Sequence, residues 1–312
     1  MKILLDYLFP ITAIEPTPAA STAFLKQVCA VAEPKVGVTP GTATLCVSQS
    51  EVDALVGAQA AAEIGKLFDA GMSRVYVLPS ADLDLDAELA AQGSQFFTLL
   101  ITSDFSDAEV TAADFGTFGG VIGVSSTDDS FLATQAAISK RCAFHATSTN
   151  KAKNMFYAFG KLLSNSLNWK NQQYVPMPLA DDVDTLGEAN ALFDDRISFV
   201  ISDDEFSNRL SMFCAGGKAI VAPYIERNLQ IDMQSKALSY ISGNQPGYTK
   251  TQAALLEDEL QKVIADYIDL AWIEDGVVEV SLVEDNFVAN GNINIAEPKA
   301  LWRIFAEMRA SL

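Results

Sequence analysis

The run FFTLLIT at residues 96–102, followed by GVIGV at 120–124, decides the fold. Each is a short and almost continuous apolar segment, which is typical of a strand buried on both faces of a sheet. A third predicted strand, RVYVL at 74–78, comes earlier in the chain. A segment of helical length, 84–92, separates it from the run at 96–102. Strands that alternate with helices predict a largely parallel sheet.

Outward from these three strands the alternation continues in both directions. Further strands are predicted at 44–47, 142–146 and 197–202, and helices at 52–68 (closed by Gly71), 129–140, 150–163 and 183–193. Parallel strands need long crossovers that return over the sheet. The fold class is therefore α/β, with a mostly parallel core sheet covered on both faces by helices.

Beyond residue 205 the character of the chain changes. Two long helices are predicted, within 224–241 and from about 249 to 272. Apolar and polar residues then alternate over 277–283 and again over 292–296, across an Asn290-Gly291 pair that favours a tight turn. This pattern predicts a terminal β-hairpin. Residues 300–308 fit a short helix or an edge strand equally well.

The two ends of the chain have the character of extended arms. Pro10, Pro16 and Pro18 oppose helix within residues 1–22, where apolar side chains recur. We predict an amino-terminal arm at 1–22, an α/β core at 23–276 and a carboxy-terminal hairpin or arm at 277–312, with both arms adding strands to neighbouring subunits. The candidate inter-subunit residues in the arms are Ile3, Leu5, Tyr7, Phe9, Val278, Val280, Leu282, Ile293, Ile295 and Trp302.

Composition limits the classes of partner. Among 312 residues, 40 Asp and Glu outweigh 21 Lys and Arg, for a formal net charge of −19. Such a charge repels nucleic-acid phosphates and anionic lipid, so no direct nucleic-acid partner is expected. No run approaches the roughly 20 apolar residues that span a bilayer, so no membrane insertion is expected. Asp6 and Pro10 interrupt the first apolar run, which argues against a signal peptide.

The sequence offers little for catalysis. His145 is the only histidine, and its place in the predicted strand CAFHATS favours a core or interface imidazole. The four cysteines lack metal-ligand spacing and are predicted to be buried free thiols. The glycine-rich run 116–123 lacks the spacing of a dinucleotide loop and leads into a strand, so close backbone packing is the better interpretation. We predict no catalytic, cofactor-binding or metal-binding residues, and no enzyme.

Charge is unevenly distributed along the chain. No acidic residue lies between Asp129 and Asp181, whereas acidic residues crowd 181–205. The two strips can simply be differently solvated faces, or the basic strip of one copy can meet the acidic strip of the next. The inter-subunit charge candidates are Lys151, Lys153, Lys161, Asp181, Asp182, Asp194 and Asp195.

A series of short motifs, in order along the carboxy-terminal half, resembles the tail sheath protein of contractile-tailed bacteriophages. The motifs are LNWKNQQY at 167–174, MP at 177–178, LGEA at 186–189, ISFV at 197–200, GGKAI at 216–220, YI at 224–225, QS at 234–235, NQPGY at 244–248 and ALWR at 300–303. Their order, over roughly residues 96–312, carries the resemblance together with the amino-terminal arm.

The resemblance implies a homo-oligomeric sheath lattice of stacked hexameric rings around a tail tube, anchored at a baseplate and closed by a tail terminator protein. Contraction of the lattice would drive the tube through the host envelope, in a virion assembled in the host cytoplasm. It also implies exchange of terminal strands between subunits and needs no cofactor. The alternatives are a cytoplasmic α/β enzyme with an unrecognised site, or another phage tail or baseplate structural protein.

Overall fold

A six-stranded sheet lies at the centre of the fold. The computed structural model describes residues 22–92, 95–113, 115, 118–164, 175–179, 183, 185–202, 208–244, 249–283 and 288–296. The sheet strands are β1 (Val28–Ala32), β2 (Thr44–Cys46), β3 (Val75–Pro79), β4 (Thr98–Ile101), β5 (Val121–Ser126) and β6 (Arg141–His145), in the spatial order β2-β3-β1-β4-β5-β6. All neighbouring pairs are parallel except β2 with β3. The predicted mostly parallel sheet is confirmed.

Helices connect these strands and continue beyond them. The described chain begins with a 3-10 helix, Thr22–Lys26. Its first residue falls within the predicted amino-terminal arm, 1–22. The α-helices are α1 (Gln49–Leu55), α2 (Ala58–Asp69), α3 (Asp86–Gln92), α4 (Asp107–Ala112), α5 (Asp129–Ala136), α6 (Lys153–Ser164), α7 (Leu186–Asp194), α8 (Ala222–Asn244) and α9 (Lys250–Asp269). The other strands are β7 (Phe199–Ile201), β8 (Arg209–Met212), β9 (Cys214–Ala215), β10 (Lys218–Ala219), β11 (Asp275–Val283) and β12 (Val288–Ala296).

The sheet separates two hydrophobic clusters. Alternate residues of β1 belong to different clusters, with Val28 and Ala30 on one face and Cys29 and Val31 on the other. The cluster on the first face includes residues of α2, α6, α8 and α9, and the cluster on the second face includes residues of α3, α5 and α7. Because successive side chains of a strand point to opposite faces, fully buried strands require apolar residues at every position. Helices therefore cover both faces, as predicted.

The glycine-rich run before β5 serves close packing, which confirms the interpretation from sequence. A Cβ atom on Gly120 would lie 2.1 Å from the carbonyl oxygen of Phe97. One on Gly123 would lie 2.7 Å from Leu100 Cδ2 and 3.0 Å from Phe159 Cε2. Only glycine lets these backbones and side chains approach so closely.

The helix predicted at 52–68 is wrong as a single element, because it is two helices. Val56 is extended (φ −129°, ψ 169°) and forms an isolated antiparallel bridge with Pro34, while Gly57 caps the start of α2. Apolar spacing continues across the break, so periodicity does not reveal it. The bridge to Pro34 is a contact distant in sequence, and it overrides the local helical pattern.

Tyr224, in the first turn of α8, forms a buried hydrogen bond to β4. Its hydroxyl lies 2.7 Å from Thr98 Oγ1, and both residues are fully buried. Replacing Tyr224 with Phe leaves the Thr98 hydroxyl without this partner, and an unsatisfied buried hydroxyl costs about 1–3 kcal/mol. We expect Tyr224→Phe to lower the free energy of unfolding by this amount, measured by urea denaturation.

Thr98→Val supplies the control for that variant. If the hydrogen bond is responsible, the double variant Tyr224→Phe/Thr98→Val should lose less stability than the sum of the single variants, because neither buried partner is left unsatisfied. Strictly additive losses would contradict this explanation.

Candidate assembly interface

The predicted terminal hairpin is present as β11 and β12. The two strands pair antiparallel over nine residues each, with Val278 opposite Ile293 and Val280 opposite Gly291. The turn predicted at Asn290-Gly291 is wrong, since both residues lie inside β12 and Asn290 faces Ser281. Pairing along the whole of both strands sets this register, and it outweighs the local turn preference of an Asn-Gly pair.

Strand β11 packs against its own subunit. Val278 is only 2% exposed and belongs to the first hydrophobic cluster, whereas Val277 is 50% exposed. Val280 is partly buried against the same cluster, to which α9 contributes Leu260 and Ile264. The predicted alternation thus has a physical cause, because Val278 and Val280 face the core whereas Val277 and Glu279 are exposed.

Side chains of α9 bind the backbone along one edge of β11. Gln261 Nε2 donates to the carbonyl oxygen of Gly276 (3.0 Å), and Gln261 Oε1 accepts from the backbone N–H of Val278 (3.0 Å). The backbone N–H of Val280 donates to Glu257 Oε2 (2.7 Å). Three outward backbone groups of β11 are therefore satisfied within the subunit.

The opposite edge of the hairpin belongs to β12. In an antiparallel pair, alternate residues direct their backbone groups toward the partner strand. Because Val278 and Val280 direct theirs to α9, the positions opposite them, Ile293 and Gly291, direct theirs away from β11. Within the described chain, β12 pairs only with β11. An edge of this kind can accept another strand.

The arm candidates divide between this hairpin and the undescribed chain. Val278, Val280 and Leu282 lie in β11, and Ile293 and Ile295 in β12. The sequence-predicted residues Ile3, Leu5, Tyr7, Phe9 and Trp302, and the ambiguous segment 300–308, lie outside the described residues.

The basic strip lies on and before α6. Lys151 has a left-handed backbone (φ 49°), and its charge acts on Asp104 of the same chain. Lys153 begins α6, and the Lys161 ammonium lies 5.2 Å from the centre of the Tyr157 ring. All three lysines are half-buried.

The acidic strip is described only in part. Asp194 ends α7 and Asp195 follows it, both exposed, whereas Asp181 and Asp182 lie outside the described residues. The described ion pairs do not join Lys151 or Lys153 to Asp194 or Asp195. The structure therefore does not bring these members of the two strips together within one subunit.

The carboxyl edge of the parallel sheet, where α/β enzymes place their sites, holds a buried carboxylate. Glu63 of α2 is fully buried and accepts hydrogen bonds from the Ser103 N–H (2.9 Å), the Ser103 hydroxyl and Gln59 Nε2 (2.8 Å). Burial raises the pKa of Glu63, and the nearby charge of Asp104 adds to this effect. Burial also raises the pKa of Asp104. Both Glu63 oxygens have partners, as in a structural carboxylate that ties α2 to the loop after β4.

A cavity of about 330 Å³ lies elsewhere, between the end of α8 and α9. Its lining is mainly polar and includes Tyr240, Gln252, Leu255, Glu259 and Lys262. Lys236 and Lys262 hydrogen-bond to Glu259 and lower its pKa to about 2. No residue of the six-stranded sheet lines this cavity, so it is separate from the carboxyl edge.

The other candidates for chemistry have structural surroundings. All four cysteines are free and buried, as predicted, and burial raises the pKa of the Cys46 thiol to about 11 and that of Cys214 to about 12. His145 lies on β6, and its Nδ1 is 2.9 Å from Asp129 Oδ1. The described residues include no group of three or more His, Cys, Asp or Glu arranged to hold a metal, and no helix apolar and long enough to cross a membrane.

Comparison with known proteins finds similar structures, whereas the sequence comparisons find no match. Neither protein-family profiles nor curated protein sequences match the chain. Among solved structures, it is similar to a chain of the cryo-EM structure of the anti-feeding prophage baseplate, with a TM-score of 0.68 at 12% identity over 96% of both chains.

Two further structures extend this likeness. The PVC sheath complex of an extracellular contractile injection system, in the contracted state, matches with a TM-score of 0.68 at 10% identity over 92% of both chains. The sheath tail protein of Listeria innocua matches with a TM-score of 0.56 at 9% identity, over 88% of this chain and 95% of that one. The fold is that of contractile sheath proteins, as the motifs of the carboxy-terminal half predict.

Proposed function

We propose that this chain is a structural subunit of a contractile tail sheath, and not an enzyme. The observation that carries the proposal is a fold shared with the sheath complex of a contractile injection system over 92% of both chains. The subunits polymerise as stacked hexameric rings around a tail tube, with a baseplate at one end and a terminator protein at the other. In a bacteriophage tail, contraction of this lattice drives the tube through the host envelope for genome ejection.

Strand exchange gives the lattice its continuity. The hairpin β11–β12 holds its own subunit through β11, and among the described residues the other edge of β12 has no partner strand. The arm at 1–22 carries Ile3, Leu5, Tyr7 and Phe9 at alternate positions, the spacing of one face of a strand. Addition of that strand to β12 of a neighbouring copy joins subunits by backbone hydrogen bonds, and these bonds survive rigid-body movement during contraction.

Negative-stain microscopy of the purified full-length protein tests this function. Long striated cylinders are the expected result at high protein concentration. A protein that stays monomeric at every concentration tested would contradict the proposal. Because one structural match is a chain of a baseplate structure, isolated rings without cylinders would favour a baseplate component instead.

We expect electrostatic attraction between the basic strip of one subunit and the acidic strip of the next to strengthen the lattice. We predict that the triple variant Lys151→Gln/Lys153→Gln/Lys161→Gln polymerises only at higher protein concentration, because the basic strip no longer attracts the exposed carboxylates near Asp194 and Asp195 of a neighbour. The threshold concentration is measured by sedimentation at two salt concentrations, since screening weakens exposed pairs.

Lys250→Gln is the matched control, because Lys250 is exposed and lies in the first turn of α9, outside the basic strip. The wild type and this control should become harder to polymerise as salt rises, whereas the triple variant should respond less. An unchanged threshold in the triple variant would mean that the strips are only solvated faces.

A further inference from the structure

The contacts along β11 have the chemistry of a neighbouring strand. A primary amide offers an NH2 group that donates and a carbonyl oxygen that accepts, so it can imitate the N–H and C=O of a neighbouring strand. Gln261 uses both on backbone groups that flank Val277, donating to Gly276 and accepting from Val278. One turn earlier on α9, Glu257 accepts from Val280, the next outward N–H along the strand. Two residues four apart on one helix face thus bind three of the outward backbone groups along residues 276–280 of β11.

We propose that Gln261 and Glu257 select the edge at which a second copy of this chain adds its strand, by closing β11 and leaving β12. This inference rests on the proposed function. A strand added at β11 would have to displace three formed hydrogen bonds, whereas β12 has no described partner beyond β11. Edge protection by polar side chains is a known way in which sheets avoid pairing at the wrong edge.

The consequence is a defined polarity of assembly. A two-stranded sheet has two edges, and strands added to both would let each subunit join neighbours in alternative directions. Closing one edge removes half of these alternatives and favours a single helical lattice. The two residues act as specificity determinants for the partner strand, in addition to tying the hairpin to α9.

Disulfide trapping between two copies tests which edge is used. One copy carries a single cysteine, scanned from Ile3 to Phe9, and the other carries either Val277→Cys on β11 or Asn294→Cys on β12. Positions 277 and 294 lie directly opposite each other in the hairpin. A donor residue that is level with one of them along the strand direction is therefore level with the other as well. A strand beside β12 lies about 4.8 Å from β12 and about twice that from β11. The native cysteines are buried and do not compete.

The expected result in the wild type is at least about tenfold more cross-linked dimer through position 294 than through 277. The double variant Gln261→Met/Glu257→Met opens β11 without a change in helix propensity, and it should raise trapping at 277 toward that at 294. Glu257→Gln keeps a carbonyl acceptor and should behave as the wild type. Asp266→Ala, at an exposed position of α9, should do the same.

The outcomes separate this inference from the proposed function. Cylinders that trap equally at 277 and 294 in the wild type overturn edge selection alone, as does a double variant with an unchanged ratio. The wild-type ratio decides the matter even if the double variant fails to fold. Absence of cross-linked dimer at both positions, with every donor, in a protein that forms cylinders overturns edge selection and the strand exchange that it presupposes, whereas absence of cylinders overturns the sheath function.

Discussion

We expect removal of residues 1–18 to abolish polymerisation and to leave a folded subunit. The described hydrophobic clusters begin at Phe24, so the core contacts that they show do not depend on the deleted residues. A strand that adds to β12 contributes several backbone hydrogen bonds. Taking about four of them at about 1 kcal/mol each, the deletion weakens association by about 4 kcal/mol, or about a thousandfold.

Sedimentation velocity and microscopy measure the assembly, and circular dichroism measures the fold. The matched control for the deletion is a pair of point variants in the arm. Leu5→Asp/Tyr7→Asp breaks the apolar alternation and should also prevent cylinders, whereas Asp6→Ser keeps it and should leave them intact. A deleted chain that fails to fold would show that the arm completes its own subunit, and unaltered cylinders would exclude the arm from the lattice.

Replacement of Gly160 by Leu gives the largest expected loss of stability. Gly160 lies on α6 where this helix meets α2, and a Cβ atom there would lie 2.5 Å from Ala70 Cβ and 3.2 Å from the backbone of Leu67. The contact includes backbone atoms, so side-chain rotation cannot relieve it, and the helices must separate. We expect a loss of about 3 kcal/mol or more and a Tm lower by about 5 °C or more.

Gly243→Ala provides the contrast. It lies near the end of α8, and a Cβ atom there has no neighbour within 4 Å. Alanine is favoured over glycine in a helix by about 0.5–1 kcal/mol, so this variant should be neutral or slightly stabilised. Equal destabilisation of the two variants would show that helix separation at Gly160 is not the cause.

Most of the sheet was predictable because its strands carry their own signal. The runs 96–102 and 120–124 are almost continuously apolar; β4 lies inside the first, and β5 begins inside the second and extends two residues beyond it. The short helix α4 was missed although Ser106 and Glu109 form a capping box around its first turn, and that four-residue spacing could have revealed it.

The sequence predicts the strand β11 of the hairpin but not the α9 side chains that bind its edge. Alternation over 277–283 gives the strand and its buried face, because Val278 and Val280 recur every second residue. Nothing in the sequence marks Gln261 or Glu257, since single polar residues on an amphipathic helix usually belong to its solvated face. Their role depends on the distance between α9 and β11, which is a property of the tertiary structure.

The nine-residue ladder of the hairpin also determines how the subunit bears mechanical load. Backbone hydrogen bonds of a sheet run perpendicular to the strands, so tension along a strand loads all of them together in shear instead of opening them one by one. A strand held beside β12 and pulled along its axis passes the force through the ladder to β11. Gln261 and Glu257 then pass it to α9. The hairpin is thus built to resist stretching along its length more than peeling from its end.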